Sequence, residues 1–90
     1  MDFEKLKIKS YRHWDVYLNP NQCYLGWVYL WAKRENAIDL MQITDEERDN
    51  LFSIGRALQD VIAPLFQPDL MNYASLGNRF NHLHFHIIPR

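Results

Sequence analysis

The last nine residues, His82-Leu83-His84-Phe85-His86-Ile87-Ile88-Pro89-Arg90, restrict this chain more than any other stretch. Imidazole and apolar side chains alternate through three repeats. Successive side chains on a strand point to opposite faces, so this spacing sets His82, His84 and His86 on one face and Leu83, Phe85 and Ile87 on the other. The apolar face is expected to bury in a core. A row of three imidazoles needs its own reason, since histidine serves chiefly in proton transfer, nucleophilic attack or metal binding.

The remaining sequence supplies the elements such a strand would need. Trp14 to Leu18 is short and β-prone and runs into the turn residues Asn19-Pro20-Asn21-Gln22. Leu25 to Ala32 reads as its hairpin partner, with Trp27, Tyr29 and Trp31 on one side and Val28 and Leu30 on the other. Lys33-Arg34-Glu35-Asn36 should be exposed, and Ala37 to Met41 can add a helical turn. Thr44-Asp45-Glu46-Glu47 has the capping-box spacing, with three acids suited to the positive end of a helix dipole. Leu51, Ile54, Leu58, Val61, Ile62 and Leu65 then recur at threes and fours, which predicts one buried stripe. Pro64 and Pro68 should kink or stop the helix between Ala63 and Gln67. Leu70 to Ser75 reads as a third strand, and Asn81 to Ile88 as the fourth. Strand, strand, helix, strand, strand predicts an α+β fold: a small antiparallel sheet of two hairpins packed on one main helix.

Ninety residues, 48% of them hydrophobic, suit one domain with one core. A formal charge of −1 argues against capture of long nucleic acid or an anionic membrane, though not against a single small anion. The lone Cys23 has no disulfide partner in the chain and is expected to be a half-buried small residue. No apolar run approaches the ~20 residues of a membrane span. The N-terminus is mixed in charge and lacks a signal-peptide core, so a cytoplasmic protein is the expectation.

On the imidazole face, alternate residues lie roughly 6.5–7 Å apart at Cα. The middle one, His84, is flanked on both sides and is the natural nucleophile, since a neutral imidazole is competent near pH 7. One of its nitrogens must keep a free lone pair while the other is held as N–H by a carbonyl or another acceptor. His82 and His86 could orient it, donate to a phosphate oxygen or protonate a leaving group. Just upstream, Gly77 permits close approach to backbone amides, Asn78 offers an amide and Arg79 adds charge. Together these favour phosphoryl or nucleotidyl transfer over acyl transfer. Two alternatives stand beside this reading. His-x-His on a strand can give zinc two ligands, although a third from the same straight strand is awkward. The histidines could also be structural, on a polar sheet face.

The run His82-x-His84-x-His86-Ile87-Ile88-Pro89-Arg90 resembles the signature of the histidine-triad (HIT) family of nucleotide hydrolases and transferases. The likeness extends upstream through Leu18-Asn19-Pro20, Gly26, Ile43-Thr44-Asp45-Glu46-Glu47, Asn72 and Gly77-Asn78, covering about Tyr11 to Arg90. The resemblance implies that His84 attacks an α-phosphorus and forms a nucleotidyl-histidine intermediate, assisted by His82 and His86. It implies a phosphate contact from Asn78, another amide in the site from Asn72, a ribose contact from Asn19, no metal or other cofactor in the triad, and pairing as a homodimer. Substrates would be nucleoside phosphoramidates, phosphate esters or dinucleoside polyphosphates; the alternative is a nucleotide-binding module with weak or no catalysis. Two departures stand out. Where many members carry a further histidine after the glycine, this chain has Trp27, which cannot exchange a proton as an imidazole does; it either simply packs or leaves the site slower or shaped for another leaving group. Members also normally continue past the motif, so a single domain over 1–90 lacking the usual C-terminal segment is expected.

Overall fold

The computed structural model describes residues 3–76 and 81–90. After a 3-10 turn at Phe3–Leu6 come β1 (Lys7–Ser10), β2 (Trp14–Leu18) and β3 (Val28–Ala32). A second 3-10 turn, Leu40–Gln42, leads into helix α1 (Asp45–Phe66), which is followed by β4 (Met71–Ala74) and β5 (His84–Pro89). The strands form one antiparallel sheet in the order β1-β2-β3-β5-β4. The α+β expectation therefore holds, with β1 as an additional edge strand. β1 escapes sequence reading because Lys7-Ile8-Lys9-Ser10 buries almost nothing. Its pairing with β2, and the ion pairs of Lys7 with Glu4 and Asp15, hold it instead.

Register assigns the two faces. Val16 lies opposite Leu30, Leu30 opposite Phe85, and Val28 opposite Ile87. These residues, with Trp14 and Ala32, meet Leu51, Ile54 and Ile62 of α1 in one core. Trp14 is wholly buried, and its indole N–H donates to the Glu47 carbonyl at 2.9 Å. Each fully buried aliphatic side chain contributes about 1.5–3 kcal/mol. The leading apolar residues of β2, β3 and α1 thus bind the helix to the sheet.

Helix α1 starts as its sequence dictates. Thr44 Oγ1 accepts from the Glu47 N–H at 3.1 Å, and Glu47 Oε1 accepts from the Thr44 N–H at 2.8 Å. It ends after Phe66, where Gln67 turns left-handed (φ 47°) and donates its N–H to the Ala63 carbonyl. The buried stripe is narrower than predicted, because Val61 and Leu65 are 57% and 69% exposed. Val61 is turned about 100° from Ile62 around the helix axis, and Leu65 lies beyond Ile62, the last buried residue of α1.

Other boundaries shift for local reasons. β3 begins at Val28 rather than Leu25, because Trp27 donates its N–H back to the Tyr24 carbonyl and closes a turn. Within that turn Gly26 has φ +89°, and a Cβ there would sit 2.8 Å from the Phe66 ring and 3.3 Å from Pro89. Only glycine lets the helix end, the β2–β3 loop and the end of β5 meet so closely. Gln22 braces the same loop: its Nε2 donates to the carbonyls of Asn19 and Trp27, and its Oε1 accepts from the Gly26 N–H. Cys23 in this loop is exposed, not half-buried as expected, because the loop lies outside the core. No helix among the described residues is long and apolar enough to cross a membrane.

Candidate active site

The histidine segment meets the sheet in two stages. β5 proper begins at His84, but the residues before it are already pinned: Ala32 N–H donates to the Leu83 carbonyl at 3.1 Å, and Leu83 N–H to the Ala37 carbonyl at 2.8 Å. Leu83 and Ile87 are buried in the core, and Phe85 packs against it. The alternation therefore leaves His84 and His86 on the face away from α1, opposite Trp31 and Tyr29 in register.

Each imidazole has a defined partner. His84 lies with Nδ1 2.8 Å from the His82 carbonyl, an acceptor only, so Nδ1 carries the hydrogen. Its Nε2 consequently keeps a lone pair, and among the described residues no hydrogen bond engages that atom. His84 is 9% exposed, which limits competing water without sealing the ring away. His82 places Nε2 2.6 Å from the Ala32 carbonyl, so that nitrogen is the N–H donor. His82 thus holds its neighbour through its own main-chain oxygen while its ring is committed to the sheet. His86 accepts at Nδ1 from the Trp27 indole N–H at 3.0 Å. Trp27 does more than pack.

Aromatic rings surround the row. Trp31 stacks on His82 at 4.4 Å between centroids and on His84 at 5.6 Å. Tyr29 stands edge-on to His84 at 6.4 Å and tilted to His86 at 5.8 Å, and itself stacks on Tyr17 at 5.2 Å. The two ring nitrogens that matter for chemistry are thereby set by fixed acceptors and donors, and the ring planes by aromatic packing.

The model of the HIT domain matches residues 17–90. The chain belongs to the HIT family. Among solved structures, a histidine-triad protein from Marinobacter aquaeolei VT8 is 29% identical, with a TM-score of 0.83 over all of this chain and 69% of that one. A HIT family protein from Bacillus anthracis is 25% identical, with a TM-score of 0.80 over 93% of this chain and 62% of its own. The C. elegans NitFhit protein is 26% identical, with a TM-score of 0.78 over 90% of this chain and 21% of its own. This chain therefore spans about two thirds of the length of those bacterial proteins. No protein in the curated set matches it significantly.

Within this HIT domain the sequence-derived site residues are distributed unevenly. Asn72 lies opposite Ile88 in the β4–β5 register, two pairs beyond His86, and its Oδ1 accepts from Arg90 at 3.5 Å. Asn19 follows β2 beside Trp27, whose carbonyl accepts the Asn19 N–H, and its side-chain amide donates to the Asn21 carbonyl within the turn. Gly77, Asn78 and Arg79 lie outside the described residues. Ser75 Oγ donates to the His84 carbonyl at 3.0 Å, a support that sequence reading did not identify. Trp31, Tyr29 and the Ala32 carbonyl were missed likewise. The alternation over Trp27 to Trp31 had put the aromatics on one face; which face carried the histidines depended on the β3–β5 pairing.

Electrostatics follow from burial. His86 is held below its ordinary value, first because burial disfavours the imidazolium and second because His84 lies beside it. Burial also raises Tyr29, which keeps that phenol protonated. Among the described residues no group of three His, Cys, Asp or Glu side chains is arranged to hold a metal ion.

Proposed function

We propose that this HIT domain is a nucleotide hydrolase acting at an α-phosphorus through a nucleotidyl-His84 intermediate. The supporting observation is the 2.8 Å contact from His84 Nδ1 to the His82 carbonyl, which leaves Nε2 as the attacking atom. Its lone pair would form the N–P bond while the bond from phosphorus to the leaving group breaks with its electrons. The carbonyl would steady the positive charge that the ring gains. Water then attacks phosphorus, releases a nucleoside monophosphate and returns His84 to its starting form. His86 would serve the leaving side. Gly77, Asn78 and Arg79 would donate to non-bridging oxygens, with Asn72 as a further amide and Asn19 near the ribose.

Nucleoside phosphoramidates, phosphate esters and dinucleoside polyphosphates all present the required α-phosphorus. Brief exposure to a labelled nucleotidyl substrate, quenching without acid and mass spectrometry of the His84 peptide tests the reading. A nucleotidyl adduct on His84 is expected; no adduct, with turnover unchanged in His84→Ala, overturns it. The second reading, a nucleotide-binding module with little catalysis, draws on the Trp27–His86 bond, which ties up one nitrogen of a would-be proton donor. Tight binding of a nucleoside monophosphate by calorimetry, with no hydrolysis of any substrate, favours the module. A cytoplasmic homodimer is the associated proposal. The pairing is supported by the outer edge of β4, which has no strand partner among the described residues, and by the exposed Leu70, Tyr73 and Leu76 on or beside that strand.

A further inference from the structure

The Trp27–His86 contact is the one side-chain hydrogen bond between β5 and the β2–β3 loop among the described residues. Indole N–H is a donor and never an acceptor. His86 Nδ1 must therefore present a lone pair, and the ring's single hydrogen sits on Nε2. Protonating Nδ1 would set two N–H groups against each other at 3.0 Å and break the bond. The groups facing His86 give no counterweight. From β5 the nearest ring is His84, at 5.1 Å; from β3 it is the protonated Tyr29; from β4 the residue opposite is Ala74. No carboxylate among these would stabilise an imidazolium.

We propose that Trp27 is a positioning residue that locks His86 as a neutral Nε2–H donor and so selects leaving groups that depart without receiving a proton. The selection rests on the hydrolase reading above; the lock does not. A neutral imidazole can offer a hydrogen bond to a departing group, but giving up its last N–H would leave an imidazolate. For a phosphoanhydride this suffices. His84 Nε2 forms the bond to phosphorus, the P–O bond to the bridging oxygen breaks, and its electron pair leaves on a phosphate whose last pKa is about 6. No proton is owed. A phosphoramidate is different, because the departing amine must gain a proton as the P–N bond breaks, and the locked His86 has none to spare. The site is therefore matched to dinucleoside polyphosphates over alkyl phosphoramidates.

Two measurements on the full chain decide this. Long-range proton–nitrogen NMR of the nitrogen-15-labelled protein reads the His86 tautomer and titration with no substrate present. The wild type is expected to show Nε2–H alone, with Nδ1 unprotonated. Trp27→Phe, which keeps a ring but removes the N–H, should show mixed tautomers and a titration moved upward. Steady-state kinetics then compare a dinucleoside polyphosphate with a nucleoside alkylphosphoramidate. The wild type should prefer the anhydride by at least about 100-fold in kcat/KM, the lower range of general-acid contributions. Trp27→Phe should narrow that preference at least about 10-fold, most strongly below pH 7, through faster phosphoramidate turnover. An Nδ1–H tautomer in the wild type overturns the proposal even if the variant does not fold, as does a selectivity ratio unmoved by Trp27→Phe. A locked tautomer with no turnover of either substrate supports the lock and overturns the hydrolase reading.

Discussion

On β3, Val28, Leu30 and Ala32 are buried against α1 and its neighbours, whereas Trp27, Tyr29 and Trp31, each one residue away, stand on the face that carries the histidines. The covered face is mainly aliphatic, with Trp14 and Phe85 as its aromatic strand residues, and what its side chains do for the fold depends on volume and burial. The open face is aromatic and half-buried, and its groups are aimed: His84 Nδ1 at a carbonyl, His82 Nε2 at another, Trp27 Nε1 at His86. Dispersion and apolar burial have no preferred direction, so the covered face can hold the domain together but cannot decide which nitrogen bears a hydrogen. Hydrogen bonds can. The same short strands therefore divide stability and chemistry between their two sides.

If that division is real, damage on either side should stay on that side. His84→Ala should lower turnover at least about 10³-fold. The thermal midpoint, followed by circular dichroism, should move little. Leu30→Ala, directly behind the site, should do the reverse. A cost of about 2–5 kcal/mol should lower the midpoint by more than about 10 °C, with the His86 tautomer unchanged in whatever fraction is folded. Gly26→Ala tests the seam between the sides. A Cβ against Phe66 at a positive φ should cost at least about 1 kcal/mol, and it should also disturb Trp27, so stability and selectivity would change together. Thr44→Ala removes only the helix cap and should cost about 1 kcal/mol in chemical denaturation, leaving kcat/KM as it was.

The smallest effect is expected in the pH dependence of stability. The His86 pKa is lowered by folding, so its contribution is complete above its ordinary value of 6.5 and is lost as pH falls from there through the folded value. Glu47 is opposed by burial but held low by the Thr44 N–H and Arg34. Its contribution is complete above 4.5 and is lost as pH falls through its folded value. Denaturation midpoints measured from pH 8 to 3 should fall in two steps, and Glu47→Gln should flatten the lower one alone.

Much of the covered face could be read in the sequence, because it obeys period and composition. The apolar half of the histidine strand, the capping box at Thr44 and the helix end near Pro64 all follow from residue spacing. Val61 and Leu65 were misplaced because periodicity does not say how much of a helix a small sheet can cover. β1 had no apolar alternation to reveal it. On the open face, the three histidines could be read but the company they keep could not. Trp31 and Tyr29 reach them only through a pairing between strands separated by α1, and a main-chain carbonyl such as that of Ala32 leaves no trace in composition.

The brace formed by Gln22 carries a consequence for how such proteins diverge. One uncharged amide, which itself bonds backbone groups of the β2–β3 loop, fastens the segment that presents the indole to the last histidine. If the proposed hydrolase activity holds, drift at that position could unfasten the indole and change which bonds are cleaved while each letter of the recognised signature stayed intact. Two descendants of this chain could then be classified as the same enzyme and consume different metabolites.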